Sequence, residues 1–255
     1  MPYKTKVSII TPIYNGADFI EDTALCLAKQ TFTDYEWVVI DDCSTDDTKE
    51  VLQRLSDNDK RIKLVFLQKN SGPIVARNKG MDDASGRFIA FLDADDIWVP
   101  EKLEKQLAFM EENQTALSFT SFRKIDLEGN ITSRFRIPVP RKVNYAKLIE
   151  SNCIPASSAM FDREIVGEMR QDSSKIISKD DFFFWLEMLK VCHTAMGMKE
   201  DLFRLRIHKK SITNDKLEMA RRHWKMYREV FHFSVLKSLR YYIIYSIKGL
   251  AKYLM

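Results

Sequence analysis

The sequence predicts an α/β protein: a mostly parallel, Rossmann-like sheet with helices on both faces. Three observations lead there. Short apolar runs recur at residues 7–11, 36–41, 62–67 and 88–92, rich in the β-branched and aromatic residues that suit buried strands. Stretches with helical spacing lie between them, and strand–helix–strand at this interval implies a parallel sheet with covered faces. Three of the runs also end in polar residues: Thr11 to Asn15, Asp41–Asp42, and Asp93 to Asp96. In such sheets ligands bind beyond the carboxyl ends of the strands, so these groups are expected to meet at one edge.

Taken in order, "VSIIT" is the first strand and stops at Pro12. Residues 17–30 follow as a helix with Phe19, Ile20, Ala24 and Leu27 on one face. "EWVVID" is the second strand, and "STDDTKEVLQRL" opens a helix behind a Ser/Thr/Asp cap. "IKLVFL" makes the third strand, "GPIVARNKGMDDA" a helix ending before Gly86, and "FIAFL" a fourth, buried strand. That strand delivers Asp93, Asp95 and Asp96 to one point, where mutual repulsion is costly unless a cation or a hydrogen-bond donor is present. Beyond Pro100, "EKLEKQLAFMEEN" is a helix, residues 116–122 a strand and 126–131 a hairpin turn. Residues 132–160 carry Pro138, Pro140 and Pro155 and are expected to be irregular. From Asp180, "DDFFFWLEMLKV" is an apolar helix. Its two leading carboxylates suit the helix dipole as well as they suit chemistry.

Composition narrows the function classes. A chain of 255 residues, 45% apolar and 30% charged, forms one large or two closely joined globular domains. Cys26, Cys43, Cys153 and Cys192 form no C-x-x-C pair, which argues against a zinc knuckle or a redox dithiol. No G-x-G-x-x-G follows the first strand, and neither a P-loop nor an H-E-x-x-H is present, so a divalent ion bridging phosphates to Asp is the expected substitute. The first residues show no apolar leader, and the uncharged run 241–247 is too short to span a bilayer. A reducing cytosol is the expected setting, and no nucleic-acid partner is expected. The net charge of +4 is uneven: residues 221–255 hold eight Lys or Arg and one Glu, leaving the first 220 residues at −3.

"VSIITPIYNGADFIEDTALCLAKQTFTDYEWVVIDDCSTDDT", "NSGPIVARNKG" and "FLDADDIW" together resemble glycosyltransferase family 2, the GT-A fold enzymes that use nucleotide sugars. The resemblance runs from about residue 5 to residue 210, and "KDDFFFWLEML" and "LFRLRIHKKSIT" are similar to later landmarks of its bacterial surface-polysaccharide branch, the O-antigen, capsule and teichuronic-acid type. It implies a division into a nucleotide-sugar-binding part (1–98), an acceptor-binding and catalytic part (99–214) and a tail (215–255). It implies a UDP-sugar site built from Pro12, Tyr14, Asn15, Asp42, Arg77, Asp93, Ala94 and Asp95. The Tyr14 ring would stack on uracil, Asp42 would accept the uracil N3 hydrogen, Arg77 would hold the site's carboxylates, and Asp93 would face the ribose. Mn²⁺ or Mg²⁺ would be held by Asp95, with Asp96 and His208 as further ligands, and Arg204 and Arg206 would meet phosphate charge. Asp181, with Asp180 as fallback, would be the general base that deprotonates the acceptor hydroxyl. Cys43 stands where the family has Gly, a departure expected to affect the loop's flexibility.

The tail reads as a basic amphipathic helix. Leu236, Leu239, Ile243, Ile247, Leu250 and Leu254 share one arc, with Lys237, Lys248 and Lys252 on another. That pattern suits an anionic membrane surface; packing on the domain or pairing in a homodimer is the competing arrangement. The expectation is a cytoplasmic enzyme, peripheral at the inner face of the cytoplasmic membrane, with a lipid-linked saccharide acceptor of undecaprenyl-diphosphate type. Its rivals are a sugar nucleotidyltransferase, which needs a glycine-rich basic loop that "TPIYNGADF" does not supply, and a non-catalytic membrane-associated nucleotide or cation sensor.

Overall fold

The computed structural model describes residues 3–172, 180–207, 221 and 224–254. Its first half follows the predicted alternation: β1 (Thr5–Ile13), α1 (Ala17–Ala28), β2 (Tyr35–Asp41), α2 (Thr48–Asn58), β3 (Ile62–Phe66), α3 (Pro73–Asp83) and β4 (Gly86–Phe91). The second half holds β5 (Ile97–Trp98), α4 (Lys102–Glu112), β6 (Leu117–Ile125), β7 (Lys142–Asn144) and α5 (Tyr145–Glu150). A 3₁₀ turn (Ala156–Ser158) then leads to β8 (Met160–Asp162), α6 (Arg163–Val166), α7 (Asp180–Cys192) and β9 (Thr194–Arg206). A π-helical turn (Met226–Val230) precedes α8 (Val235–Leu254).

All the described strands join one sheet in the order β3-β2-β1-β4-β8-β6-β9-β5, with β7 on β9. β3, β2, β1 and β4 are mutually parallel; β8 runs antiparallel to β4 and β6. The pleat sends alternate residues to opposite faces. Ile10, Val38, Ile40, Ile89 and Phe91 meet α3, α5 and α7 in one core, while Ile9, Val39, Phe88 and Ala90 meet α1, α2 and α4 in the other. Gly80 lets α3 approach closely, since a Cβ there would stand 2.5 Å from Ile10 Cγ2 and 2.6 Å from Ile40 Cδ1.

Two expectations need correction. β1 does not stop at Pro12: its pairing with β2 continues to Ile13, opposite Asp41, whereas its pairing with β4 ends at Ile10, opposite Phe91. The Ile10 carbonyl accepts from Leu92 on the β4 side. Pro12, two residues on, points the same way without an amide hydrogen, so β1 and β4 part there. Residues 132–160 are also more regular than expected. They hold β7, α5 and the start of β8, which seals the centre of the sheet with Met160 and Phe161 buried.

Candidate active site

The three polar strand ends do meet, and hydrogen bonds between the loops fix how. Asn15 adopts φ +50°, a left-handed conformation that Asn tolerates better than most residues. Its amide donates to Ser44 Oγ, and its side-chain oxygen accepts from the Thr45 amide at 2.8 Å. The next amide, Gly16, donates to Thr48 Oγ1, so the turn after β1 is laced to the turn after β2. Asp41 accepts the Ser44 amide and closes that turn. Cys43 lies inside it at φ +63°, which explains why glycine suits this position; a side chain here carries a local cost of about 1 kcal/mol.

Asp42 reaches the other way. Its two carboxylate oxygens accept the Ser71 and Gly72 amides, each at 2.7 Å. Gly72, at φ +86°, supplies the turn that aims both amides at one carboxylate and starts α3. From α3, the buried Arg77 extends to Asp93 Oδ1 at 2.7 Å and lies over the Phe91 ring. The strand end after β4 is thereby joined to the loop that Asp42 organises. Tyr14 is half exposed, and Pro12 is partly buried where β1 and β4 separate.

The acidic run itself is split by burial. Asp93 keeps 37% of its side chain exposed, and Asp95 is half buried. Asp96 is 2% exposed, with Oδ2 accepting from Ser157 Oγ and Oδ1 from the Arg206 amide. Burial, and then the neighbouring Asp95 and Asp93, push Asp96 well above the usual carboxylate range. Asp96, expected among the metal ligands, is therefore turned into the protein as an anchor. Arg206, expected to meet phosphate, also turns inward. Its Nε donates to the Asp95 carbonyl, Nη1 to the Leu127 carbonyl and Nη2 to Asp22. Arg204 binds Asp201. The Ala94 carbonyl accepts from Thr23 Oγ1 at 2.8 Å.

Ser157 and Asn152 lie in "SNCIPASSAMF", the stretch where the sequence suggests that donor and acceptor sugars meet, but their positioning contacts were not among the expected roles. Ser157 accepts the Asp93 amide through Oγ, donates the same hydroxyl to Asp96, and receives the Trp98 indole N–H on its carbonyl. Five residues earlier, Asn152 Nδ2 lies 3.4 Å from Asp181 Oδ1 in the first turn of α7. One short loop therefore touches both the acidic run and the expected base. A serine in a proline-containing loop gives no periodic signal by which to find it. Asp180 begins α7, but its side chain, like all of His208, lies outside the described residues.

Among the described residues no three His, Cys, Asp or Glu side chains converge as a metal cage. The half-buried carboxylate of Asp95, beside Asp93, fits a hard cation that completes its shell with ligand phosphates.

Fold and strand-end chemistry together define a GT-A α/β transferase. The chain belongs to glycosyltransferase family 2: the pattern described as "Glycosyl transferase family 2" matches residues 8–170. TuaG of Bacillus subtilis, named for teichuronic acid biosynthesis, is 38% identical over 250 residues, 98% of either chain. WfgD of Escherichia coli, a UDP-Glc:alpha-D-GlcNAc-diphosphoundecaprenol beta-1,3-glucosyltransferase, is 32% identical over 97% of this chain and 94% of its own. Among solved structures, Staphylococcus aureus TarS 1-349 in complex with UDP-GlcNAc superposes with a TM-score of 0.69 at 20% identity, covering 93% of this chain and 70% of that one. The mannosyltransferase PcManGT of Pyrobaculum calidifontis, in complex with GDP-Man and Mn²⁺, gives 0.71 at 19% identity, over 94% and 70%. The chain spans 44% of the longer TarS chain. It is a glycosyltransferase with a GT-A fold.

Proposed function

We propose that this glycosyltransferase moves a hexose or N-acetylhexosamine from a UDP-sugar to a lipid-linked, undecaprenyl-diphosphate type glycan, with inversion, during surface-polysaccharide synthesis. Residues 1–98 bind the donor, residues 99–214 bind the acceptor and supply the base, and residues 215–255 form the tail. What supports the reading is the shared loop: Ser157 touches Asp93 and Asp96, and Asn152 touches Asp181. The relatives add weight, since WfgD is named for a UDP-glucose donor and a diphosphoundecaprenol acceptor.

The residues divide the work as follows. Tyr14 stacks on the uracil ring. Asp42 uses one lone pair of each oxygen on the Ser71 and Gly72 amides and keeps acceptor capacity for the N3 hydrogen. Arg77 orients Asp93 toward the ribose, and Asp95 with His208 would hold Mn²⁺ or Mg²⁺. That cation would supply electrostatic stabilisation for negative charge gathering on the departing diphosphate. Asp181 removes the proton from the acceptor hydroxyl as its oxygen attacks the anomeric carbon. The bond to UDP breaks, UDP leaves with the electron pair, and an α-linked donor gives a β-linked product. Work on a lipid-linked acceptor places the enzyme at the inner face of the cytoplasmic membrane.

Asp181→Asn tests the assignment. With UDP-sugars and Mn²⁺, turnover is expected to fall about 10²–10⁴-fold, while UDP affinity by calorimetry stays within a factor of two or so. Chelation should abolish UDP release in the wild type. Pyrophosphate as the product, or a variant with undiminished turnover, would reject the proposal.

A further inference from the structure

The tail helix faces outward with its aliphatic side. Ser238 is fully buried, and Tyr241, Tyr242 and Tyr245 are partly buried against the domain. Leu236, Leu239, Ile243 and Ile247 are exposed, Leu236 by 80% and Ile247 by 61%. At 3.6 residues per turn these four fall within an arc of about 80°. An ordinary surface helix does the reverse, burying its aliphatic stripe and exposing polar groups. Nothing among the described residues covers the stripe. Residues 235–254 also contain four Lys or Arg and no acidic residue, and Lys237 and Arg240 are exposed beside the stripe.

We infer that this face of α8 docks on an anionic phospholipid bilayer and holds the side of the molecule that carries the proposed base, Asp181, toward that surface. The choice among occupants follows from charge and area. Exposed cations flanking an aliphatic ridge match acidic headgroups over acyl chains. Four side chains of this size offer roughly 250–500 Å² to a partner, short of the about 800 Å² per side that a stable protein interface needs. No described helix is long and apolar enough to cross a membrane, so the contact is one of lying on the surface.

The packing behind α8 explains the orientation. Tyr241 stacks with Phe233 and meets Tyr227 at 5.3 and 5.7 Å between ring centroids. Tyr227 Oη donates to the Ile149 carbonyl of α5 at 2.9 Å, and α8 itself packs on α5. Phe231 lies 5.8 Å from Phe183 and 6.5 Å from Phe182, directly after Asp181 in α7. The chain after α5 reaches Asn152, which touches Asp181. A membrane under α8 is thus joined by packed rings to the helix that carries the proposed base, where a lipid-borne acceptor must arrive. This orientation rests on the proposed function, whereas the docking itself does not.

Flotation of the full chain with vesicles tests it. Binding is expected to phosphatidylglycerol-rich vesicles and not to pure phosphatidylcholine, and to weaken when salt rises from about 0.1 M to about 1 M, where the Debye length shrinks from about 10 Å to about 3 Å. Leu239→Glu with Ile243→Glu should lower the partition coefficient at least about tenfold. Lys237→Glu with Arg240→Glu should remove the preference for phosphatidylglycerol. In both variants release of UDP from donor hydrolysis stays at the wild-type rate, while transfer to a vesicle-borne acceptor falls with the partition coefficient. Equal flotation of wild type and the Leu239/Ile243 variant would overturn the inference. So would a wild-type dimer, by sedimentation, that the same variant converts to monomer, because the stripe would then be a subunit contact. Vesicle binding without UDP affinity would overturn the proposed function and leave the docking standing.

Discussion

The sheet carries a buried carboxylate at each end, and the two are handled differently. At its foot, Glu36 of β2 receives Ser8 Oγ, Ser85 Oγ, the Ser85 amide and the Lys63 ammonium. Burial alone would raise its pKa, but these four partners, Lys63 foremost, hold it below the usual carboxylate range. At its head, Asp96 has a hydroxyl and an amide but, among the described residues, no cation; burial, and then the two carboxylates beside it, shift it upward. Arg77 and Arg206 are both at the head, yet they go to Asp93 and Asp22. The foot neutralises itself with its own chain. Among the described residues the head gathers three neighbouring carboxylates, of which Asp93 is paired with Arg77, an arrangement that suits the cation of the proposed function.

Several substitutions can break or sharpen that contrast. Arg206→Met strips donors from the Asp95 and Leu127 carbonyls and is expected to destabilise the protein by about 3–5 kcal/mol, read as a lower denaturant midpoint at unchanged slope. Lys102→Met bears on whether the head hides an internal counter-ion. Lys102 is fully buried, its Nζ 3.5 Å from the Trp98 ring centroid and without a hydrogen-bond partner among the described residues, and burial lowers its pKa well below the ordinary lysine value. A neutral amine predicts that Lys102→Met stabilises by about 1–4 kcal/mol at neutral pH and leaves UDP affinity unchanged. The gain should fade as pH rises toward the ordinary lysine range, where the amine is neutral in both states. Loss of UDP affinity would instead show that Lys102 serves the head as a charge.

Ser157→Ala should cost about 1–3 kcal/mol, since it leaves the Asp93 amide and Asp96 each one partner short. Because the acidic run then loosens, the Mn²⁺ concentration for half-maximal activity should rise about 10-fold or more, with Thr at 157 restoring it. A purely structural role would leave that concentration unmoved. The smallest effect belongs to the foot. Lys63 is nearly half exposed, so Lys63→Met is expected to cost no more than about 1 kcal/mol. Glu36 contributes stability above its unfolded pKa and loses it as pH falls through the lower folded value. Without Lys63 the folded value rises, so acid unfolding should begin at higher pH while activity at neutral pH is unchanged.

The strands of the first half were legible because their β-branched runs are long and each ends in polar residues. Convergence of Asn15, Asp42 and Asp93 followed from topology alone. β8 and α5 were not legible: three and six residues are too short for periodicity, and prolines around them suggested disorder of pattern. Within the head, sequence could gather Asp93, Asp95 and Asp96 but could not say which would be buried. That depends on Ser157 and Arg206, which lie 61 and 110 positions away from Asp96. Arg206 was misread for the same reason, since a basic residue near an expected phosphate site draws attention while its role as an inward clamp depends on distant carbonyls. The glycine expected at position 43 had a backbone cause, visible once Cys43 was found at φ +63°.

The insertion of β8 between β4 and β6 has a practical meaning for engineering. Phe88 to Ala90 pair with Asp162 to Met160, so a fragment cut near residue 98 would bare a long hydrophobic strand border ready to stick to any similar border. Chimaeras that graft a new second half onto residues 1–98 should therefore carry the three-residue strand across with the graft. Swapping at residue 98 without it would yield inclusion bodies, whatever sugar the new half prefers.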